Sequence, residues 1–295
     1  MGKNKKVLRM ILMMLLLPTL SGCINLQSSL QNGSEEYRVI DLEIYRDTDA
    51  WELAKAVNAQ NTKKIKSIAE KNPALLNVQD PYYDTTLLVW AVGMEKYDSA
   101  KALLECGADP DIISGWVGCT ALYLAAGFSW IDNDAKQDLK YVNLLLEYGA
   151  DPNICYITKG LYANEYGVLI QDGTEDQESP LMHSIGAGLE KTKALVEAGA
   201  DINHKTPKMY SAAIKALYSD GAPKYAQYLI VEKKADLTGY YLMPDSMIMS
   251  EDDPNKKFYP VDLLKWWRFA PGTEGYEIKQ AIIQEFANQG IEYSE

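Results

Sequence analysis

Apolar residues in the middle of this chain come in short bursts at helical spacing, and the bursts end in one recurring polar turn. Leu103-Leu104-Glu105-Cys106-Gly107-Ala108-Asp109 is echoed by Leu145-Leu146-Glu147-Tyr148-Gly149-Ala150-Asp151 and again by Leu195-Val196-Glu197-Ala198-Gly199-Ala200-Asp201. A second recurring string precedes them: Thr86-Leu87-Leu88-Val89-Trp90-Ala91, Thr120-Ala121-Leu122-Tyr123-Leu124-Ala125-Ala126 and Ser179-Pro180-Leu181-Met182-His183-Ser184. The two strings together predict a pair of short helices per unit. Thr86, Thr120, Ser179 and Ser211 stand where a hydroxyl caps the first amides of a helix, and Pro180 suits a first helical turn. Gly107, Gly149 and Gly199 stand where a helix ends in a left-handed residue. Leucine pairs and small alanines give each helix one apolar face, which has to be buried against the next pair.

The spacing is that of a stacked repeat. Asn77 to Asp111 is 34 residues and Thr86 to Thr120 is also 34, while Asp111 to Asn153 stretches to 42 and Asn153 to Asn203 to 50. These strings resemble the ankyrin repeat, whose units of about 33 residues run from a Thr-Pro-Leu-His-x-Ala helix to a second helix and then a projecting finger. The resemblance implies an all-α solenoid of stacked helix pairs with β-hairpin or finger loops, some of them elongated. Outer units read in the same register. A first pair spans Thr48–Val57 and Thr62–Lys71 and closes at Asn77. Another begins at Ser211 and ends near Asp236, with Lys234 in place of the glycine, and a last pairs Tyr259–Trp267 with a helix near Glu277–Asn288. About six units over residues 48–290 result, more than the three or so that a stable stack needs.

The start of the chain carries a different signal. Lys3, Lys5, Lys6 and Arg9 precede the apolar run Met10–Leu17, which ends in Leu20-Ser21-Gly22-Cys23. That run is too short to span a bilayer and has the layout of a secretory signal. Its ending resembles a bacterial lipobox, which implies removal of residues 1–22 and lipidation of Cys23; a signal cut elsewhere or an uncleaved anchor are the alternatives. Residues 23–47 then read as a flexible tether. The resemblance implies a cell-envelope location, facing outside the cytoplasm, with Ile24 after the cysteine favouring the outer membrane where there are two membranes.

Charge narrows the partners. The chain has 29 basic and 41 acidic residues, a net charge of −12, and loss of the four bases in residues 1–22 takes this to −16. Such a surface repels nucleic acid and anionic lipid headgroups; it is compatible with a basic partner protein, although an acidic balance is more often simply a solubility trait. No nucleophile–base motif, nucleotide loop or metal-ligand spacing is present, so no enzyme activity, cofactor, metal or small-molecule substrate is expected. His183, one place beyond the usual histidine of the repeat string, is expected to be structural. Cys119 and Cys155 lie on successive fingers; they either bridge or stay as thiols, and thiols are expected given the narrow geometry of a disulfide.

The departures from the repeat are insertions. Asn153 to Ser179 spans 26 positions where Asp111 to Thr120 spans 9. This stretch brings Tyr156, Tyr162 and Tyr166, and a second long finger brings Tyr240 and Tyr241. Tyrosine offers large, partly polar contact area, so these five are the candidate partner-binding residues. Each finger insertion either projects as a recognition surface or packs back on the stack. A third insertion, Phe128–Asp134, lies between the two helices of one unit and projects elsewhere. The implied function is a membrane-tethered protein-interaction module. An immunity factor against a secreted toxin, or an envelope scaffold for another exported protein, are the narrower alternatives.

Overall fold

The computed structural model describes residues 37–115, 118–127, 129–131, 138–157, 162–163, 169–170, 176–218, 223–243 and 253–294. Its helices form six pairs: α1 (Trp51–Asn58) with α2 (Thr62–Lys71), α3 (Leu87–Gly93) with α4 (Tyr97–Glu105), and α5 (Ala121–Ala126) with α6 (Lys140–Glu147). The other three are α7 (Pro180–His183) with α8 (Leu189–Glu197), α9 (Ala212–Tyr218) with α10 (Pro223–Ala226), and α11 (Pro260–Leu263) with α12 (Glu274–Asn288). First helices pack on first helices from α1 through α11, and second helices on second helices from α2 through α12, so one apolar core runs the length of the stack. The helices are too short to be stable alone in water. Side chains such as Leu53, Leu87, Trp90, Leu103 and Leu122, shared between neighbouring pairs and fully buried, hold them.

The cap residues behave as their chemistry predicts. Thr86 Oγ1 accepts the Val89 N–H at 3.3 Å, Thr120 the Tyr123 N–H at 3.2 Å, Ser179 the Met182 N–H at 3.2 Å and Ser211 the Ile214 N–H at 3.3 Å. A second device ties unit to unit. The side-chain oxygen of Asn77 accepts the Asp109 N–H at 2.9 Å, and that of Asp111 accepts the Asp151 N–H at 2.9 Å. Asn153 does the same for Asp201 and Asn203 for Asp236, both at 2.8 Å. Each Asx residue thus pairs a backbone N–H of the turn that follows the next unit's second helix. This is why asparagine or aspartate recurs there although the units differ in length.

Two expectations are corrected. Residues 37–47 are not tether. They include a short 3-10 helix, Leu42–Tyr45, and bury Val39, Ile44 and Tyr45 against the first pair. Tyr45 donates to the Thr85 carbonyl at 2.7 Å, and the Tyr83 hydroxyl donates to the Tyr37 carbonyl. Among the described residues the first helix pair has no helix pair on its outer side, and this segment covers it, as capping repeats do. At the other end Ile291 and Tyr293 pack on the core, so the folded unit runs past 290. Lys234 does not abolish its helix ending: it adopts the left-handed conformation at φ 59°, after a widened π-type turn over Gln227–Glu232, and pairs with Glu285 at 2.7 Å. The segments 1–22 and 23–36, with Cys23, lie outside the described residues. Among the described residues no helix is long and apolar enough to cross a membrane.

Candidate partner-binding face

The fingers that join one pair to the next share a frame. Two residues before each cap the chain turns left-handed, at Asp84 (φ 49°), Gly118 (φ 66°), Gln177 (φ 61°) and Met209 (φ 61°). Just before the cap, a carbonyl closes the finger. Asp80 N–H donates to Thr85 O at 3.1 Å, Ser114 N–H to Cys119 O at 2.9 Å, Tyr156 N–H to Glu178 O at 2.9 Å and Thr206 N–H to Tyr210 O at 2.9 Å. Bonds also cross between fingers: Gly115 N–H to Asp84 O at 3.1 Å, Ile157 N–H to Gly118 O at 2.9 Å and Leu242 N–H to Lys208 O at 2.8 Å. His204 Nε2 meets Gln177 O at 2.7 Å and completes the row. Gly118 fits no other residue well, since a Cβ there would overlap the Ile157 carbonyl.

Along this row large apolar side chains stand in solvent. Tyr82, Ile157, Met209 and Tyr259 are 47%, 43%, 39% and 51% exposed, and each belongs to a different finger. Met209 holds a left-handed backbone while exposing its side chain, a combination that packing does not require. The five tyrosines proposed from sequence fall out differently. Tyr156 and Tyr241 are buried, at 6% and 1% exposure, and are removed from the list of contact residues. Tyr156 packs on Tyr123, with ring centroids 5.6 Å apart. Tyr241, in β3 (Tyr241–Leu242), sits among Tyr210, Tyr218 and Phe258, with its hydroxyl 3.0 Å from that of Tyr218. β3 pairs antiparallel with β4 (Lys257–Phe258), and this pairing turns Tyr241 inward. Tyr240 is half-buried under the Lys257 ammonium, 4.0 Å from its ring centroid. Tyr162 lies in β1 (Tyr162–Ala163), opposite Ile170 of β2 (Leu169–Ile170), so the long finger carries a hairpin. The Tyr162 side chain and Tyr166 lie outside the described residues. Of the third insertion residues 129–131 are described: the Trp130 backbone N–H donates to Gly93 O at 2.9 Å and its ring packs against the core, while Ile131 is exposed.

Titratable groups under the row are structural. Glu178 is buried, receives the Lys215 ammonium and the Tyr123 hydroxyl, and lies 4.0 Å from His183 Nδ1. Burial pushes its pKa up, but Lys215 and His183 outweigh that and hold it below the usual carboxylate range. His183 stacks on Tyr123 at 4.2 Å, and burial lowers its pKa to about 4, so it is neutral near pH 7. Cys155 Sγ lies 3.5 Å from His204 Nε2, a spacing that invites thought of a Cys–His dyad. Burial, then the negative charge of Asp151, Asp176, Asp201 and Glu178, raises the thiol to about 11. It stays protonated and is a poor nucleophile. Among the described residues no three His, Cys, Asp or Glu side chains gather as metal ligands.

Comparison with known proteins agrees with this architecture. The ankyrin-repeat family model matches residues 117–156. Protein PhlB of Serratia liquefaciens is 38% identical over 92 residues, 31% of this chain and 36% of that protein. A putative ankyrin repeat protein of Acanthamoeba polyphaga mimivirus is 36% identical over 107 residues, 36% of this chain and 14% of that protein. The match therefore spans little more than a third of the Serratia protein's length and 14% of the mimivirus protein's. The fold is an all-α ankyrin-type solenoid; repeats of this type are protein-interaction modules, and no enzyme family is indicated.

Proposed function

We propose that this protein is an extracytoplasmic, lipid-tethered binding module that holds a protein partner along its finger row. The observation that carries the reading is the set of exposed apolar side chains Tyr82, Ile157, Met209 and Tyr259, one on each of four fingers. Backbone bonds between neighbouring fingers keep their relative positions fixed, which lowers the ordering cost of binding. The partner is basic, matching a chain with 12 more acids than bases. The tether is Cys23, with the Leu-Ser-Gly-Cys string as its support. A narrower role as immunity factor against a basic secreted toxin draws on the same acidity. A structural role, as scaffold for another exported protein, uses the same face.

The test replaces Tyr82, Ile157, Met209 and Tyr259 together by serine and compares pull-downs from detergent-solubilised envelopes. Loss of specific capture, with an unchanged melting temperature, is expected; capture at parental strength would discard the finger row. Cys23→Ser tests the tether separately, and processing, lipid labelling and membrane fractionation like the parent would remove it.

A further inference from the structure

Counted from the amino-terminal end, the first four fingers close at Asp80, Ser114, Tyr156 and Thr206, so the residues that follow, Pro81, Gly115, Ile157 and Pro207, hold equivalent places. That place is where a finger reaches its predecessor. Gly115 N–H donates to Asp84 O at 3.1 Å and Ile157 N–H to Gly118 O at 2.9 Å, each acceptor being the left-handed residue of the finger before. The third finger offers the same acceptor, the carbonyl of left-handed Gln177. Pro207, which the register puts opposite it, has no N–H to give. The Gln177 carbonyl meets His204 Nε2 instead, at 2.7 Å.

A carbonyl oxygen only accepts, so Nε2 of His204 carries the hydrogen. Its other neighbour agrees. Cys155 Sγ lies 3.5 Å from Nε2 and donates its own hydrogen to Asn153 O at 3.4 Å, which leaves the sulfur to face Nε2 as a weak acceptor. Pro207 and Ile157 are both exposed, so giving up the amide places a second apolar side chain where the finger before carries Ile157. We infer that His204 is the positioning residue of the partner-binding face. It supplies the bond that Pro207 withholds, and it keeps Ile157, Pro207 and Met209 as one prearranged apolar surface for the partner. Fixing that arrangement before binding lowers the ordering cost. The binding role rests on the finger row being the contact face; the bond itself does not.

The test uses the isotope-labelled full chain in detergent. Imidazole nitrogen shifts should show hydrogen on Nε2 of His204, and a bare Nε2 would overturn the assignment. His204→Phe should speed amide exchange at Thr206 and Met209 about tenfold and leave the first and sixth helix pairs at parental rates, because a local seam opens and not the whole stack. Adding Pro207→Ala to that variant returns a backbone N–H to the place held by Gly115 and Ile157. The new amide at position 207 should be protected, and the Thr206 and Met209 rates should recover. Unchanged exchange in His204→Phe, exchange raised equally in all six pairs, or an unprotected amide at position 207 without recovery would each overturn the bond's role. Binding is read on the envelope protein that the parent captures and the fourfold serine variant of the finger row does not. His204→Phe should retain about a third of that capture or less, with an unchanged melting temperature. Full capture by His204→Phe despite faster exchange would remove the positioning role. Parental capture by the serine variant would instead discard the finger row, and the binding role with it, while the exchange rates still decide the bond.

Discussion

Tyr156 and Ile157 are neighbours in sequence and opposites in environment: one is 6% exposed, the other 43%. In extended chain successive side chains point to opposite sides. Here the two backbone amides fix which side is which, Tyr156 N–H bonding to Glu178 O and Ile157 N–H to Gly118 O. Tyr240 and Tyr241 repeat the pattern on another finger, half-buried and buried respectively. Residue type therefore says little about which finger side chain meets a partner; register against a distant strand decides. The larger, more aromatic residue goes inward in the first pair, because the gap beside Tyr123 takes a ring.

The sharpest way to break the comparison is to truncate the inward members. Tyr241→Ala and Tyr156→Ala should each destabilise by about 3–5 kcal/mol, the usual cost of removing a buried aromatic. Chemical denaturation reads this directly, and a loss under 1 kcal/mol would mean that the rings are not part of the core. Lowering the pH probes the same buried side. His183 titrates near pH 4 folded against 6.5 unfolded, so from pH 6.5 down to about 4 the unfolded chain takes up a proton that the folded chain refuses, and stability falls. Glu178, held below its ordinary 4.5, adds a loss of the same sign below that pH. Denaturation midpoints between pH 7 and 4 should slope downward with acid, and His183→Gln should flatten the upper part of that slope. An unchanged slope in the variant would show that His183 does not drive it.

Smaller effects are expected on the outward side. Ile157→Ser should change stability by no more than about 0.5 kcal/mol, as exposed sites do, while reducing partner capture. Met209→Gly goes further. Its φ of 61° suits glycine, and relief of a left-handed side chain is worth roughly 1–2 kcal/mol, offset in part by the entropy of a freer unfolded chain. Stability should hold or rise slightly and capture should fall. A Met209→Gly protein that melts clearly lower, or that captures at parental strength, would place Met209 with the packing residues.

The fold was largely legible because its determinants are local and repeated. Caps at Thr86, Thr120, Ser179 and Ser211, glycines at 107, 149 and 199, and the Asx positions 77, 111, 153 and 203 act within one unit or on the next. The candidate face was only half legible. Excess length singled out two of the fingers, but counting tyrosines chose Tyr156 and Tyr241, which are core, and passed over Tyr82, Ile157, Met209 and Tyr259. Position relative to the cap was the available signal: Met209 stands two residues before Ser211, where Asp84 and Gly118 stand before Thr86 and Thr120.

By itself the sequence determined six helix pairs, their order and the positions of their turns, because hydrogen-bond capping and apolar periodicity act over a few residues. Only the tertiary structure decided that residues 37–47 close the first pair, that Lys234 takes the left-handed turn beside Glu285, and that Glu95, Tyr141 and Lys191 share one niche. Those outcomes depend on partners roughly 40 to 100 positions away, whose proximity comes from stacking rather than from any neighbouring residue.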